Sequence, residues 1–163
     1  MNFETLRKKA LDALYEFRNG DDRRLLDLDV NERTISHKLA EYLQKKFELS
    51  VDCEYNRHGK KPKRIFREYG VAGYDDTTGR TVFPDIVVHQ RGTDVENLLV
   101  IEMKKSSNPD PRDFDKQKIE AYGKEVDYEF GLFLEMNVKN SSDYLEWYEN
   151  GEFKEKEIIT YQI

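Results

Sequence analysis

Asp85, Glu102 and Lys104 are the residues of this chain whose types and spacing can do chemistry. Asp85 stands near the start of an expected β-strand, Pro84-Asp85-Ile86-Val87-Val88. Glu102 and Lys104 stand near the end of the next, Leu98-Leu99-Val100-Ile101-Glu102-Met103-Lys104. Side chains alternate faces along a strand, so Glu102 and Lys104 share one side while Ile101 and Met103 take the other. In an antiparallel hairpin the start of one strand meets the end of its partner, which brings the three charged groups together. Two carboxylates and an ammonium at one sheet edge make a hard-cation site with a charged helper beside it.

Chance supplies similar letters in a chain with 37% charged residues. Pro109-Asp110 and Glu152-Phe153-Lys154 spell the same words, but the first sits in a turn leading to a helix and the second follows a turn at Asn150-Gly151. Only the stretch from Pro84 to Lys104 sets both halves on adjacent apolar strands. A purely structural reading stands beside the chemical one: Asp85 caps a strand, and Glu102 and Lys104 form a solvated pair.

The arrangement resembles the PD-(D/E)xK nuclease superfamily, the restriction-endonuclease-like phosphodiesterases. The resemblance implies that Asp85 and Glu102 hold Mg²⁺, with Mn²⁺ as a substitute; the Met103 carbonyl is a further candidate ligand, since hard cations accept backbone oxygens. The resemblance also implies that Lys104 positions or activates the attacking water and stabilises charge that builds in the transition state. The fold it implies is α/β, a mixed central sheet flanked by helices in α-β-β-β-α-β order over about residues 31–136. This chain adds an N-terminal helix and a C-terminal hairpin, all within a single domain of 163 residues.

The elements that must position these groups can be read from periodicity. Residues 3–18 read as an amphipathic helix that ends at Asn19-Gly20, and the short Leu25–Val30 segment resists assignment. A second helix starts after Asn31, a good N-cap, and runs to about Phe47. Glu32, in its first turn, either favours the positive helix terminus or points at the metal as a further catalytic carboxylate. Val51–Asn56 alternates as a half-buried strand, and its Glu54 is either a solvent-facing acid or a third carboxylate near the site.

After Lys104 a polar turn leads to a helix that reaches about Val126, with Asp115, Lys118, Ile119 and Tyr122 at helical offsets. This Asp-x-x-Lys-aliphatic-x-x-Tyr pattern is similar to one that follows the Glu-x-Lys strand in bacterial members of the superfamily. The resemblance makes Lys118, and after it Gln117, auxiliary contacts to phosphate or water. The alternative is an i,i+3 ion pair of Asp115 and Lys118 on a solvated face. Tyr128–Met136 reads as a central strand, and the aromatic tail from Tyr144 as a hairpin packed onto the core, with Asn150-Gly151 at its turn.

The net charge of −6 works against a polyanionic partner. The local answer is the acid-free stretch from Arg57 to Arg67, whose Arg57, Lys60, Lys61, Lys63 and Arg64 are the candidate nucleic-acid contacts; otherwise it is a solvated loop. The expectation is a Mg²⁺-dependent nuclease or nuclease subunit acting on nucleic acid, DNA ahead of RNA, as a homodimer or within a larger defence or repair complex. The competing class is a non-catalytic module of the same fold that binds a protein or nucleic acid. A single cysteine, Cys53, excludes an internal disulfide framework and a cysteine-rich zinc site. No apolar run approaches a membrane span and no signal-peptide pattern opens the chain, so a cytoplasmic protein without membrane contact is expected.

Overall fold

Helix α1 (Phe3–Asn19) begins where the Asn2 side chain accepts a hydrogen bond from Thr5 N at 2.9 Å, which satisfies a donor that the first turn leaves orphaned. It belongs to a computed structural model that describes residues 1–55, 57–58, 61–62, 64–65, 80–81, 83–93 and 95–162, with the pairs between 57 and 81 described by backbone alone. The buried stripe of α1 is Phe3, Leu6, Ala10, Ala13, Leu14 and Phe17. A 3-10 turn at Asp21–Arg23 leads into the one-turn helix α2 (Arg24–Asp27), which is what the unassigned segment becomes. Helix α3 (Glu32–Gln44) is capped by Asn31, whose side chain accepts from Thr34 N at 2.8 Å, and it buries Ile35, Leu39 and Leu43.

Strand β1 (Ser50–Cys53) is followed by two short backbone ladders, β2 (Arg57–His58) with β3 (Lys61–Pro62) and β4 (Arg64–Ile65) with β5 (Arg80–Thr81). Then come β6 (Ile86–His89), β7 (Asn97–Lys105), helix α4 (Asp113–Glu125), β8 (Phe130–Met136), β9 (Ser142–Glu149) and β10 (Glu152–Thr160). The protein is α/β, with one mixed sheet in the order β1-β6-β7-β8-β9-β10. β7 and β8 run parallel, joined by α4, and the other neighbours are antiparallel.

Helices cover both faces, which explains the near-continuous apolar runs of β7 and β8. α1 and α3 pack on Ile86, Val88, Leu99, Ile101, Met103, Leu132 and Trp147. On the other face α4 sets Ala121 and Tyr122, with Val126 just after it, against Val87 and Val100, and Ile119 against Phe133 and Tyr148. The C-terminal hairpin does not lie on the core as a separate layer. β9 and β10 extend the sheet as its fifth and sixth strands, because Leu145 and Trp147 point into the α1 side of the core while β10 stays largely exposed. Asn150 and Gly151, at φ 50° and 73°, supply the two left-handed residues that a tight hairpin turn requires. Among the described residues, no helix is long and apolar enough to cross a membrane.

Helix α4 is set unusually close to its neighbours. A Cβ on Gly131 of β8 would stand 2.2 Å from Ile119 Cγ2, and one on Gly123 of α4 would stand 2.1 Å from the backbone nitrogen of Gly151. Glycine costs a helix interior about 1 kcal/mol relative to alanine, so Gly123→Ala would stabilise an isolated helix. Here the clash with the hairpin backbone reverses the sign. Gly123→Ala should destabilise the protein by about 1–3 kcal/mol, the usual cost of overpacking, when read by urea unfolding; a stabilised variant would show that α4 has room to rise.

Candidate functional site

Register and alternation bring the first two groups together. β6 pairs with β7 through Ile86↔Ile101, Val87↔Val100 and Val88↔Leu99, and one further step sets Asp85 opposite Glu102. At that point the Asp85 side chain takes over the ladder: Met103 N donates to Asp85 Oδ2 at 2.7 Å. Two residues on, at the same strand edge, Lys105 N donates to Glu32 Oε2 at 2.9 Å. Glu32 Oε1 also accepts from the side chain of Asn108. N–H and C=O of one strand residue point to the same edge, so the Met103 carbonyl is turned toward the Asp85 side, while the Met103 side chain is buried on the opposite face from Glu102.

Helix α4 closes over the other side of Glu102, which is fully buried. Lys118 Nζ donates to Glu102 Oε2 at 2.6 Å and stands 3.6 Å from Asp115 Oδ1. Asp115, only 6% exposed, also holds Lys104, whose Nζ is 2.8 Å from Asp115 Oδ2. The result is a chain of alternating charges, Glu102–Lys118–Asp115–Lys104, with Asp85 and Glu32 at the strand end. Among the described residues Glu102 Oε1 is buried with no hydrogen-bond partner.

Burial raises the Glu102 carboxyl well above its ordinary range, and the Asp85 charge pushes the same way against the opposing pull of Lys118. Asp85 is also raised by burial; the Met103 N–H and Lys118 oppose this, while Asp115 and Glu32 add repulsion. Burial acts to lower Lys118, but Glu102, Asp85 and Asp115 outweigh it and leave the ammonium raised. Burial likewise acts to lower Lys104, and Asp115, Glu32 and Asp110 reverse that too. Both lysines are therefore held as cations.

The remaining candidates fall in different places. Glu54 is not on a strand: β1 ends at Cys53, Glu54 takes φ 50°, and its exposed carboxylate pairs with Arg33 Nε at 2.9 Å. Its backbone N–H still meets Asp85 O at 3.4 Å, so the chain passes the site while the side chain leaves it. Gln117 is exposed on α4. Lys60 and Lys63 lie outside the described residues, as do the side chains of Arg57, Lys61 and Arg64. Sequence reasoning gave Asp115 no part in the site. Its offset from Lys118 was a signal for their ion pair, but its grip on Lys104 depends on how α4 docks.

Among the described residues no group of three or more His, Cys, Asp and Glu side chains is gathered to hold a metal ion. What the site offers is sparser: the Asp85 and Glu102 carboxylates, with Glu102 Oε1 unpartnered, and the Met103 carbonyl on the same strand edge. Oxygen donors few in number suit Mg²⁺, which keeps several of its waters and takes one or two carboxylates. The residues present fit that ion.

The raised Glu102 carboxyl has a consequence for stability. Above the ordinary value of 4.5 an unfolded glutamate is ionised, whereas buried Glu102 retains its proton to higher pH. The folded state then binds more protons, and stability falls as pH rises through that window. Relative to Glu102→Gln, the metal-free wild type should therefore lose up to roughly 1.4 kcal/mol per pH unit there, measured by urea unfolding in a chelator. Parallel stability profiles for the two proteins would show that Glu102 titrates as an ordinary glutamate.

No protein-family model matches the chain, and no curated protein matches it. A solved structure titled "Crystal structure of SSO0001" aligns over 95% of this chain and 79% of its own, at 18% identity and a TM-score of 0.32. A likeness at that level carries no argument about fold or function.

Proposed function

We propose that this chain is a Mg²⁺-dependent nuclease or nuclease subunit that hydrolyses phosphodiester bonds of nucleic acid, DNA ahead of RNA. The observation that carries the reading is Asp85 set opposite Glu102 across the β6–β7 hairpin, with Lys104 the next residue on the same face. The chain order α3, β1, β6, β7, α4, β8 supports a restriction-endonuclease-like core, with the β2–β5 ladders inserted after its first strand.

In this reading Asp85, Glu102 and the Met103 carbonyl hold the cation. When bound, it lowers the pKa of a water and polarises a phosphoryl oxygen. Lys104 supplies a fixed positive charge beside the reacting phosphate, and Asp115 keeps that ammonium charged and oriented. Glu32 fixes the end of β7 through the Lys105 N–H and Asn108, and so acts on the site through the backbone. The basic stretch with Arg57, Lys60, Lys61, Lys63 and Arg64 supplies phosphate contacts within a chain whose net charge is −6. Cutting both strands of a duplex would take two such sites, hence a homodimer or a larger complex.

A second reading is a binding module of the same fold, favoured by the fact that Lys104 and Lys118 are both already paired with carboxylates. Metal-dependent stabilisation separates the two, because an ion that binds only the native state raises the melting temperature.

The decisive measurement is cleavage of single- and double-stranded DNA and RNA with Mg²⁺ or Mn²⁺. Asp85→Ala and Lys104→Ala should each lower the rate by about 10²–10⁴-fold while leaving the circular dichroism spectrum unchanged. Full cleavage by either variant would sink the assignment. Failure to cut any substrate, with no metal-induced rise in melting temperature, would favour the binding module.

A further inference from the structure

Glu102 presents a physical problem that Asp85 and Lys104 do not solve. It is fully buried, one of its oxygens has no hydrogen-bond partner among the described residues, and Asp85 stands opposite it. A buried carboxylate in that position needs a counter-charge whether or not a metal is present. Lys118 supplies it, at 2.6 Å from Oε2, from a side chain only 12% exposed. The same ammonium is 3.6 Å from Asp115 Oδ1. It thus sits between two carboxylates, hydrogen-bonded to one and about half an ångström beyond hydrogen-bond distance of the other.

We propose that Lys118 is the resident counter-cation of the site, neutralising Glu102 in the metal-free protein and withdrawing to Asp115 when Glu102 binds a divalent ion. The inference rests on the reading that Asp85 and Glu102 hold that ion. The stem of lysine is flexible and its ammonium has three donors, so the shift needs no movement of α4. Asp115 can receive it: a carboxylate has about four acceptor positions, and Lys104 lies at its other oxygen. Phe114, whose ring centre is 5.7 Å from Lys118 Nζ, lines a third side of the ammonium's range. Lys118 is in this view a positioning residue: it competes with the metal for Glu102, and Asp115 sets how easily it yields.

The test is Mn²⁺ affinity, measured by calorimetry on wild type, Lys118→Met, Asp115→Asn and the double variant. Lys118→Met should bind Mn²⁺ about 10- to 100-fold more tightly, the usual size for an outer-shell partner, because a competing cation is gone. Asp115→Asn should bind more weakly by a similar factor, because Lys118 has lost its refuge. Plain long-range electrostatics would give the same two signs, so the double variant decides. The Asp115→Asn penalty should largely vanish in the Lys118→Met background, where no ammonium needs a place to go. Additive effects would overturn the proposal, as would unchanged affinity in Lys118→Met. Should Lys118→Met fail to fold, the wild-type protein gives the answer by lysine-selective ¹⁵N NMR. Mg²⁺ should shift the Lys118 ammonium resonance, and an unmoved resonance in metal-saturated protein would overturn the assignment. No Mn²⁺ binding by wild type would instead sink the metal site itself.

Discussion

Strand β7 is longer than the strand it pairs with, and much of the site follows from that mismatch. β6 starts at Ile86, opposite Ile101, yet β7 continues to Lys105. The edge that faces β6 therefore carries the Met103 and Lys105 backbone donors beyond the end of the β6 ladder. Buried N–H groups must find acceptors, and here both acceptors are carboxylates, Asp85 and Glu32. Satisfying the backbone thus draws two negative charges to the end of one strand, beside the inward-facing Glu102.

Such a concentration is stable only with cations among it. Helix α4 brings Lys118, and β7 itself brings Lys104, with Asp115 linking the two. Four carboxylates and two ammoniums remain unequal if all are ionised, so the cluster carries a deficit of positive charge. Burial and the repulsion between these groups accordingly raise the Glu102 and Asp85 carboxyls.

Much of this was legible in the sequence, and the reasons differ by residue. The placing of Asp85 opposite Glu102, and of Lys104 on the Glu102 face, follows from strand alternation and an antiparallel hairpin, which are local rules that spacing alone expresses. The caps at Asn31 and the turn at Asn150-Gly151 were local as well. Glu54 fits the alternation of a strand in the sequence, because nothing in its neighbours announces that it takes the left-handed conformation just after β1. Local spacing makes Glu32 a helix-terminus or metal group, whereas its partners, the last N–H of β7 and Asn108 beyond it, are far away in the chain. The C-terminal hairpin was recognised as a hairpin, but its addition to the sheet depends on which face of β9 is covered by α1. Asp115 illustrates the general limit. Its helical neighbour Lys118 was visible, and its tertiary neighbour Lys104 was not.

Hairpin tips are usually the places where a protein accepts an inserted peptide, since they are exposed and touch little. The β9–β10 tip is an exception, because Gly151 sits directly against the backbone of Glu120 and Lys124 and beneath Gly123. The far edge of the sheet is thereby keyed to the helix that carries Asp115 and Lys118. A tag or loop grafted at Asn150-Gly151 would act as a wedge under that helix, so engineering of this chain is better directed to another surface.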